Sequence, residues 1–316
     1  MRIQIILPPG TAARSGNRRT ADQWAAIMVT LGHQVKVGEQ FDEQGPCDVV
    51  VALHGAKTHR EQLHYRGANR NGILILALTG TDIYPEPDVT VRAAMQGAER
   101  LVVLQPNALK QIPESMHGKT SVIIQSAEAQ VKRHKRSDDF DVCVVGHFRP
   151  AKDPLLAARA VVALPADSRV QLYQAGAIVE KECSCQTELE TLQEHPRYTW
   201  LGEVTSKKVH SLVANSRLMI LTSRFEGGAN VIGESIVEGT PVLATQIDAT
   251  EALLGADYPG LFEVGNQEQL TELIHRAATD TKFYASLKEA CAARADQFLP
   301  EREAEAWRVL LADLMK

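Results

Sequence analysis

Residues 218–244, LMILTSRFEGGANVIGESIVEGTPVLA, contain the pattern on which the fold turns. An apolar run (Leu218–Thr222) enters a turn with two glycines, an amphipathic stretch opens near Asn230, and a second apolar run (Pro241–Ala244) follows. Two strands this close, joined through a helix, form a βαβ unit, and such units build parallel sheets. The same alternation fills the chain. Apolar, β-branched runs stand at Arg2–Leu7, Gln34–Val37, Asp48–Leu53, Ile73–Leu78, Arg100–Leu104 and Ser121–Ile124, then at Val142–Val145, Arg169–Tyr173 and Tyr198–Leu201, with Arg217–Thr222 and Pro241–Ala244 completing the second series. Two doubly wound α/β domains are therefore expected.

The first helix is the clearest. Trp24, Ile27, Met28 and Leu31 recur at i, i+3, i+4 and i+7, and Gly32 stands where a left-handed residue would end the helix. In the second half, Asp153-Pro154 reads as N-cap and first residue of a helix. The run Val131–Asp139 is basic and lacks apolar spacing, the composition of a solvated linker. It separates an expected first domain, 1–135, from a second, 136–299. A last helix from about Glu301 to Leu314, with Trp307, Leu310, Leu311 and Leu314 on one face, is placed to return to the first domain, so that 300–316 belongs with it.

Composition narrows the classes. The chain has 316 residues, 44% hydrophobic and 23% charged, with 34 Lys+Arg against 39 Asp+Glu. It exceeds the roughly 250–300 residues that a single core supports, so two domains facing a cleft are the expectation. A formal charge of -5 and 5% aromatics argue against a nucleic-acid partner. No apolar run reaches the roughly 18 residues of a membrane span, so no membrane partner is expected. The opening MRIQIILPPG reads as a first strand and not as a signal peptide, which points to the cytoplasm. The cysteines, Cys47, Cys143, Cys183, Cys185 and Cys291, are odd in number and scattered, with no zinc spacing. Only Cys183-Ser-Cys185 pairs two thiols in a polar segment.

Three places carry chemistry. In the quoted stretch, the amides of Gly227, Gly228, Ala229, Asn230 and Val231 lie at a helix N-terminus, where a phosphate group is favoured. Glu226 and Glu234 flank them, and carboxylates suit the hydroxyls of a sugar or ribose. On spacing alone the glycines are equally a plain turn. The second place is Val144-Val-Gly-His-Phe-Arg-Pro-Ala-Lys-Asp-Pro154, where Arg149 and Lys152 follow a strand's carboxyl end and would neutralise a diphosphate; His147 has a weaker claim. The third is the loop from Gly10 to Trp24, long for a strand-to-helix turn. Its Ser15, Gly16, Asn17, Arg18 and Arg19, together with Arg14, suit an anion, and His54, Thr81 and Asp82 at two further strand ends complete the lining. Asp82 is as readily a brace for its own loop.

The segment Gly-His-Phe-Arg-x-x-Lys-Asp-Pro and the Glu-x7-Glu stretch ending Glu-Gly-Thr-Pro-Val-Leu-Ala resemble the second domain of GT-B glycosyltransferases of the Glu-x7-Glu group, over most of 140–260. The resemblance implies a fold of two Rossmann-like domains facing a cleft. It also implies that Arg149 and Lys152 hold the diphosphate of a nucleotide-sugar, that Glu226 lies near the transferred sugar and that Glu234 holds the ribose. Trp200–Val204, through Gly202 and Val204, would lie against the base, and no metal or other cofactor is required. With the Ser-Gly-Asn-Arg-Arg-Thr-Ala-x-x-Trp loop and the Leu-Thr-Gly-Thr-Asp-Ile-Tyr turn, nearly the whole chain resembles a small bacterial branch of that group, the selenosugar synthases of selenoneine biosynthesis. That resemblance implies transfer of the sugar of UDP-N-acetylglucosamine or UDP-glucose to selenophosphate, with Ser15–Arg19, His54, Thr81 and Asp82 on the acceptor side. The residues alone reach a nucleotide-sugar transferase with an anionic acceptor. An O-glycosyltransferase, a UDP-sugar isomerase or hydrolase and a catalytically silent nucleotide-sugar sensor remain open on the same fold.

Overall fold

A computed structural model describes residues 1–12, 15–131, 139–179 and 185–314; Arg14, the basic run 132–138 and Cys183 lie outside them. Strands β1 (Arg2–Ile6), β2 (Gln34–Gly38), β3 (Val49–Leu53), β4 (Ile73–Leu78), β5 (Arg100–Val103) and β6 (Thr120–Val122) form one sheet. A second contains β7 (Phe140–Val145), β8 (Val170–Ala175), β9 (Tyr198–Trp200), β10 (Leu218–Leu221), β11 (Val242–Thr245) and β12 (Leu261–Phe262). The helices are α1 (Gly16–Thr30), α2 (His59–Ala68), α3 (Val89–Gly97), α4 (Leu156–Val162), α5 (Gln186–Gln193), α6 (Ser206–Asn215), α7 (Asn230–Val237), α8 (Asp248–Leu254), α9 (Gln267–Thr279), α10 (Thr281–Ala292) and α11 (Pro300–Asp313). Both sheets are parallel throughout. The expected strands are all present, and β12 is added: two residues are too short to show a period.

The chain divides into two compact units. The first takes Met1–Ser126, Glu226–Gly228 and Phe298–Lys316, and the second takes Ala127–Phe225 and Ala229–Gln297. In the first, the strand order is β2-β1-β3-β4-β5-β6. Alternate residues load its two faces. Ile3, Ile5, Val49, Val51 and Ile75 pack on Trp24 and Met28 of α1 and on Trp307, Leu310 and Leu311 of α11. Ile6, Val50, Ala52, Leu74 and Leu76 pack on Tyr65 of α2 and on Val91 and Met95 of α3. Period two along each strand and both faces covered is what makes the strands read as continuous apolar runs.

The end of α1 follows its sequence. Gly32 takes φ +88°, its N–H bonds the Val29 carbonyl at 2.9 Å, and the His33 N–H bonds the Met28 carbonyl at 3.0 Å, the paired closure of a Schellman motif. Its start differs from expectation. The Ser15 Oγ accepts the Arg18 N–H at 3.3 Å, so the helix opens at Gly16 and Gly16–Arg19 form its first turn instead of loop. The Asp153-Pro154 start is also corrected: α4 opens at Leu156, and Asp153 closes a short 3-10 turn, Pro150–Lys152, at φ +40°. Its carboxylate does not cap α4 but pairs with the guanidinium groups of Arg159 on that helix, 3.1 Å away, and of Arg224, 3.2 Å away.

One buried carboxylate locks α11 to α1. Glu303 is 1% exposed; its Oε1 accepts the Trp24 indole N–H at 2.8 Å, and its Oε2 accepts from Gln23 Nε2 (2.6 Å), the Ser126 N–H (2.8 Å) and the Ser126 hydroxyl (2.6 Å). Trp24 meets Trp307 edge to face at 4.8 Å. A buried acceptor serving several donors costs more to remove than a surface pair, because the donors stay behind without a partner. Glu303→Ala should destabilise the first unit by about 3 kcal/mol, read as a lowered denaturant midpoint; an unchanged midpoint would show that the network contributes nothing.

Candidate active site

In the second sheet the order is β12-β11-β10-β7-β8-β9, so the winding direction reverses between β7 and β10. At such a reversal the loops leaving the two strands part in opposite directions, and the carboxyl ends of the strands are left open for a ligand. The residues there are Gly146–Asp153 after β7 and Thr222–Ala229 after β10.

Arg149 is exposed and precedes the 3-10 turn that carries Lys152, which is half-buried. That turn is tied to the chain leaving β10. The Thr222 hydroxyl bonds the Lys152 and Asp153 carbonyls at 2.8 and 3.0 Å, and the Arg224 N–H bonds the Ala151 carbonyl at 2.8 Å. Two sequence segments far apart in the chain are thereby one structure, and Arg149 and Lys152 sit on it.

The chain then reaches α7 through Ala229, a non-glycine residue at φ +42° and ψ +50°. Ala229, the N-cap residue, makes no side-chain cap bond to α7, and the first internal bond there is from the Ile232 N–H to the Ala229 carbonyl at 2.8 Å. The amides of Asn230 and Val231 thus lie at an uncapped helix start, where the axial dipole favours an anion. Glu234 is buried on this helix at 4% exposure. Glu226, Gly227 and Gly228 group with the first unit. There Gly227 meets the Thr79–Gly80 turn so closely that a Cβ on it would lie 2.2 Å from the Thr79 carbonyl oxygen.

The other rim of the second sheet, at β8 and β9, is equally tight. A Cβ on Gly176 would lie 1.9 Å from the Gly146 carbonyl oxygen. The Gly176 N–H bonds the Gly202 carbonyl at 2.8 Å, the Trp200 indole N–H bonds the Gly176 carbonyl at 2.9 Å, and the Trp200 ring meets Phe148 at 5.7 Å. Gly202, at φ +65°, and the half-buried Val204 follow on this rim.

In the first unit the strand-end residues are bound to one another. His54 is buried at φ +75°, with Nε2 3.1 Å from the Thr81 hydroxyl and Nδ1 accepting the Lys57 N–H at 3.4 Å. Asp82, buried, accepts from the backbone N–H groups of Gly55 (2.9 Å), Thr79 (3.0 Å) and Gly80 (2.8 Å). Of its two readings, bracing the loop is the one realised in these bonds. Arg18 pairs with Asp22 at 2.9 Å on the exposed face of α1, while Arg19 is half-buried. The Arg18–Asp22 pair has the ordinary i,i+4 spacing of a helix, whereas the partners of Glu303, about 280 residues away at Gln23 and Trp24, are out of sight in the sequence.

Among the described residues, the non-glycine residues at positive φ are His54, Asp153 and Ala229. All lie in loops at the carboxyl ends of strands. Left-handed backbone costs roughly 1–2 kcal/mol per residue outside glycine and gathers where a site holds it in place. No group of three His, Cys, Asp or Glu among the described residues is placed to hold a metal ion, and no described helix is long and apolar enough to cross a membrane.

Burial lowers the His54 pKa from its ordinary 6.5, with the Asp82 carboxylate opposing. The unfolded chain therefore takes up this proton first on acidification, so the contribution of His54 to stability is complete above pH 6.5 and is lost as the pH falls through the lower folded value. An NMR titration of the ring should give a midpoint below 6.5. Gly176→Ala should force the β7 and β8 ends apart and cost about 1–3 kcal/mol, the usual range for overpacking, in thermal or chemical denaturation; a variant as stable as the parent would show that the contact relaxes freely.

Several solved structures share this architecture. HepE of Anabaena, crystallised with UDP and glucose, superposes with a TM-score of 0.79 at 16% identity, over 99% of this chain and 100% of that one. Sucrose-phosphate synthase of Thermosynechococcus elongatus gives 0.80 at 14% identity over 99% of each chain. A glycosyltransferase of Rickettsia africae gives 0.77 at 14%, over 100% of this chain and 98% of its own. No curated protein sequence matches. Residues 125–294, more than half of the chain, match the glycosyl transferases group 1 family. The two parallel six-stranded sheets are those of the GT-B fold, and the chain belongs to the glycosyl transferases group 1 family.

Proposed function

We propose that the protein transfers the sugar of a UDP-sugar, UDP-N-acetylglucosamine or UDP-glucose, to selenophosphate, acting in the cytoplasm. The observation that carries the donor half is the Arg149–Lys152 turn, hydrogen-bonded through Thr222 and Arg224 to the chain that leads to the uncapped α7. Two cations and helix amides at a strand-order reversal match a diphosphate. HepE, crystallised with UDP-glucose, supports the choice of nucleotide. The acceptor rests on the resemblance of the Ser15–Tyr84 motifs to selenosugar synthases, together with the arginines in the first turn of α1.

In this reading, selenium attacks the anomeric carbon while the bond from that carbon to the UDP oxygen breaks. Water then cleaves the selenium–phosphorus bond, giving phosphate and the selenosugar. Arg149 and Lys152 stabilise the departing diphosphate, Glu234 holds the ribose and Glu226 lies by the transferred sugar. Gly202 and Val204 lie against the base. Selenophosphate is already anionic and polarisable, so it needs placing more than deprotonating, and Ser15, Gly16, Asn17, Arg18 and Arg19 supply that placement. A hydroxyl acceptor would instead need a general base.

The test is to incubate the protein with each UDP-sugar, with and without selenophosphate, and to follow UDP and selenium by mass spectrometry. UDP release that depends on selenophosphate, with a selenosugar product, is expected; transfer only to hydroxyl acceptors would make the protein an O-glycosyltransferase. Lys152→Ala should lower turnover about 100-fold at saturating donor. Replacing both Arg18 and Arg19 with Ala should raise the KM for selenophosphate and leave UDP affinity nearly unchanged; normal use of selenophosphate by that variant would move the acceptor site elsewhere. Activity should survive EDTA, since Arg149, Lys152 and the α7 amides supply the positive potential.

A further inference from the structure

Three cations of the first unit converge on one cavity. Arg100 opens β5, Lys119 ends the 3-10 helix Glu114–Lys119 just before β6, and Arg308 lies on α11. Together with Val309, Ala312 and Asp313 of α11 they line a cavity of about 350 Å³. That volume is within the roughly 300–1,000 Å³ of small-ligand sites. Both strands present their amino ends here. In a parallel sheet these lie opposite the carboxyl ends, where His54 and Thr81 follow β3 and β4, so the cavity is separate from that lining.

Each cation is held in place by the fold. The Arg100 guanidinium bonds the Asp313 carboxylate at 2.6 Å and the Glu99 carbonyl at 3.1 Å. Arg308 bonds Glu305 through Nε and Nη2, each at 2.6 Å. A guanidinium carries five N–H donors, so these bonds leave about three on each arginine. Lys119 gives its ammonium protons to the Met95 and Ala98 carbonyls, at 2.8 and 2.6 Å, and supplies charge more than donors. Burial lowers its pKa, so the charge is held at a cost that a nearby anion would offset. Among the described lining residues a single carboxylate, Asp313, stands against three cations, in a chain whose formal charge is -5. The local excess of positive charge therefore does not follow from composition. Val309, 54% exposed, and Ala312 add apolar surface beside it.

We propose that this cavity binds a small organic dianion, two anionic groups on a carbon skeleton. Arg100 and Arg308 give their remaining N–H groups to its oxygens, Lys119 adds charge, and Val309 and Ala312 carry the skeleton. Guanidinium forks match phosphate and carboxylate oxygens alike. The site does not depend on the nucleotide-sugar reading.

Calorimetry at low salt with glucose 1,6-bisphosphate and with citrate tests this on the parent, Arg308→Gln, Val309→Glu and Lys152→Ala, with a melting temperature for each. The parent should bind at least one of the two anions, and the tighter one identifies phosphate or carboxylate as the preferred group. Arg308→Gln should bind it about 10-fold more weakly, the loss expected for charge-assisted bonds. Val309→Glu sets a second carboxylate at i,i+4 to Asp313 and should weaken binding at least as much. Both side chains are exposed, so both variants should melt near the parent. Lys152→Ala should bind like the parent. If the parent binds neither anion, the cations only fasten α11 to the sheet and the inference falls. Binding that Arg308→Gln and Val309→Glu both retain in full also overturns it, and loss of that binding in Lys152→Ala would place the anion on the Arg149–Lys152 turn instead.

Discussion

The approach of Gly176 to the Gly146 carbonyl, too close for any side chain, brings the ends of β7 and β8 together at the edge of the strand-order reversal. Several features of the second unit depend on it. Trp200 reaches the Gly176 carbonyl, Phe148 lies in the core against Trp200, the His147 ring accepts the Ala177 N–H, and Arg149 is exposed. On the far side of the reversal, Thr222 and Arg224 bind the turn that carries Lys152. A parallel sheet with right-handed crossovers leaves its strand ends open only where the winding reverses. Polar and charged residues of both loops, Arg149, Lys152, Asp153, Thr222 and Arg224 among them, collect there.

The loops at these ends hold backbone that the rest of the fold avoids. His54, Asp153 and Ala229 sit at positive φ, and the surrounding bonds over-determine each of them or its loop. The His54 imidazole is held through both nitrogens, the Asp153 carboxylate by two guanidinium groups, and Ala229 accepts the first bond of α7. Local strain persists when packing elsewhere offsets it, and the buried central strands of the two sheets supply that packing. The first unit adds Glu303, which closes α11 over α1 with four donors on a single carboxylate. A two-layer core around a parallel sheet needs helices on both faces, and the returning α11 completes one of them.

Much of this was legible in the chain. The eleven longer strands, the amphipathic α1 with Gly32 as its stop, the returning α11 and the positions of the loops all follow from apolar runs and turn residues. These are local properties, set by side-chain period and backbone preference within a few residues. The choice of Arg149, Lys152, Glu226 and Glu234 as candidates likewise needed only their spacing and their place after a strand.

What depended on distant partners was not legible. The sequence placed Asp153 as a helix cap, but Arg159 and Arg224 take its carboxylate, and only folding brings Arg224 near. Ser15 shortened the anticipated loop by capping α1 at Gly16. Nothing near Glu303 in sequence sets it apart from the other glutamates of α11 or reveals Trp24, Gln23 and Ser126 as its donors. The bond from the Ala177 N–H to the His147 ring likewise joins two strand ends 30 residues apart, and nothing local to His147 reveals it. Side-chain period and turn chemistry act within a few residues and so are written in the sequence. Hydrogen bonds between residues tens or hundreds apart depend on strand order and register, and only the tertiary structure decides those.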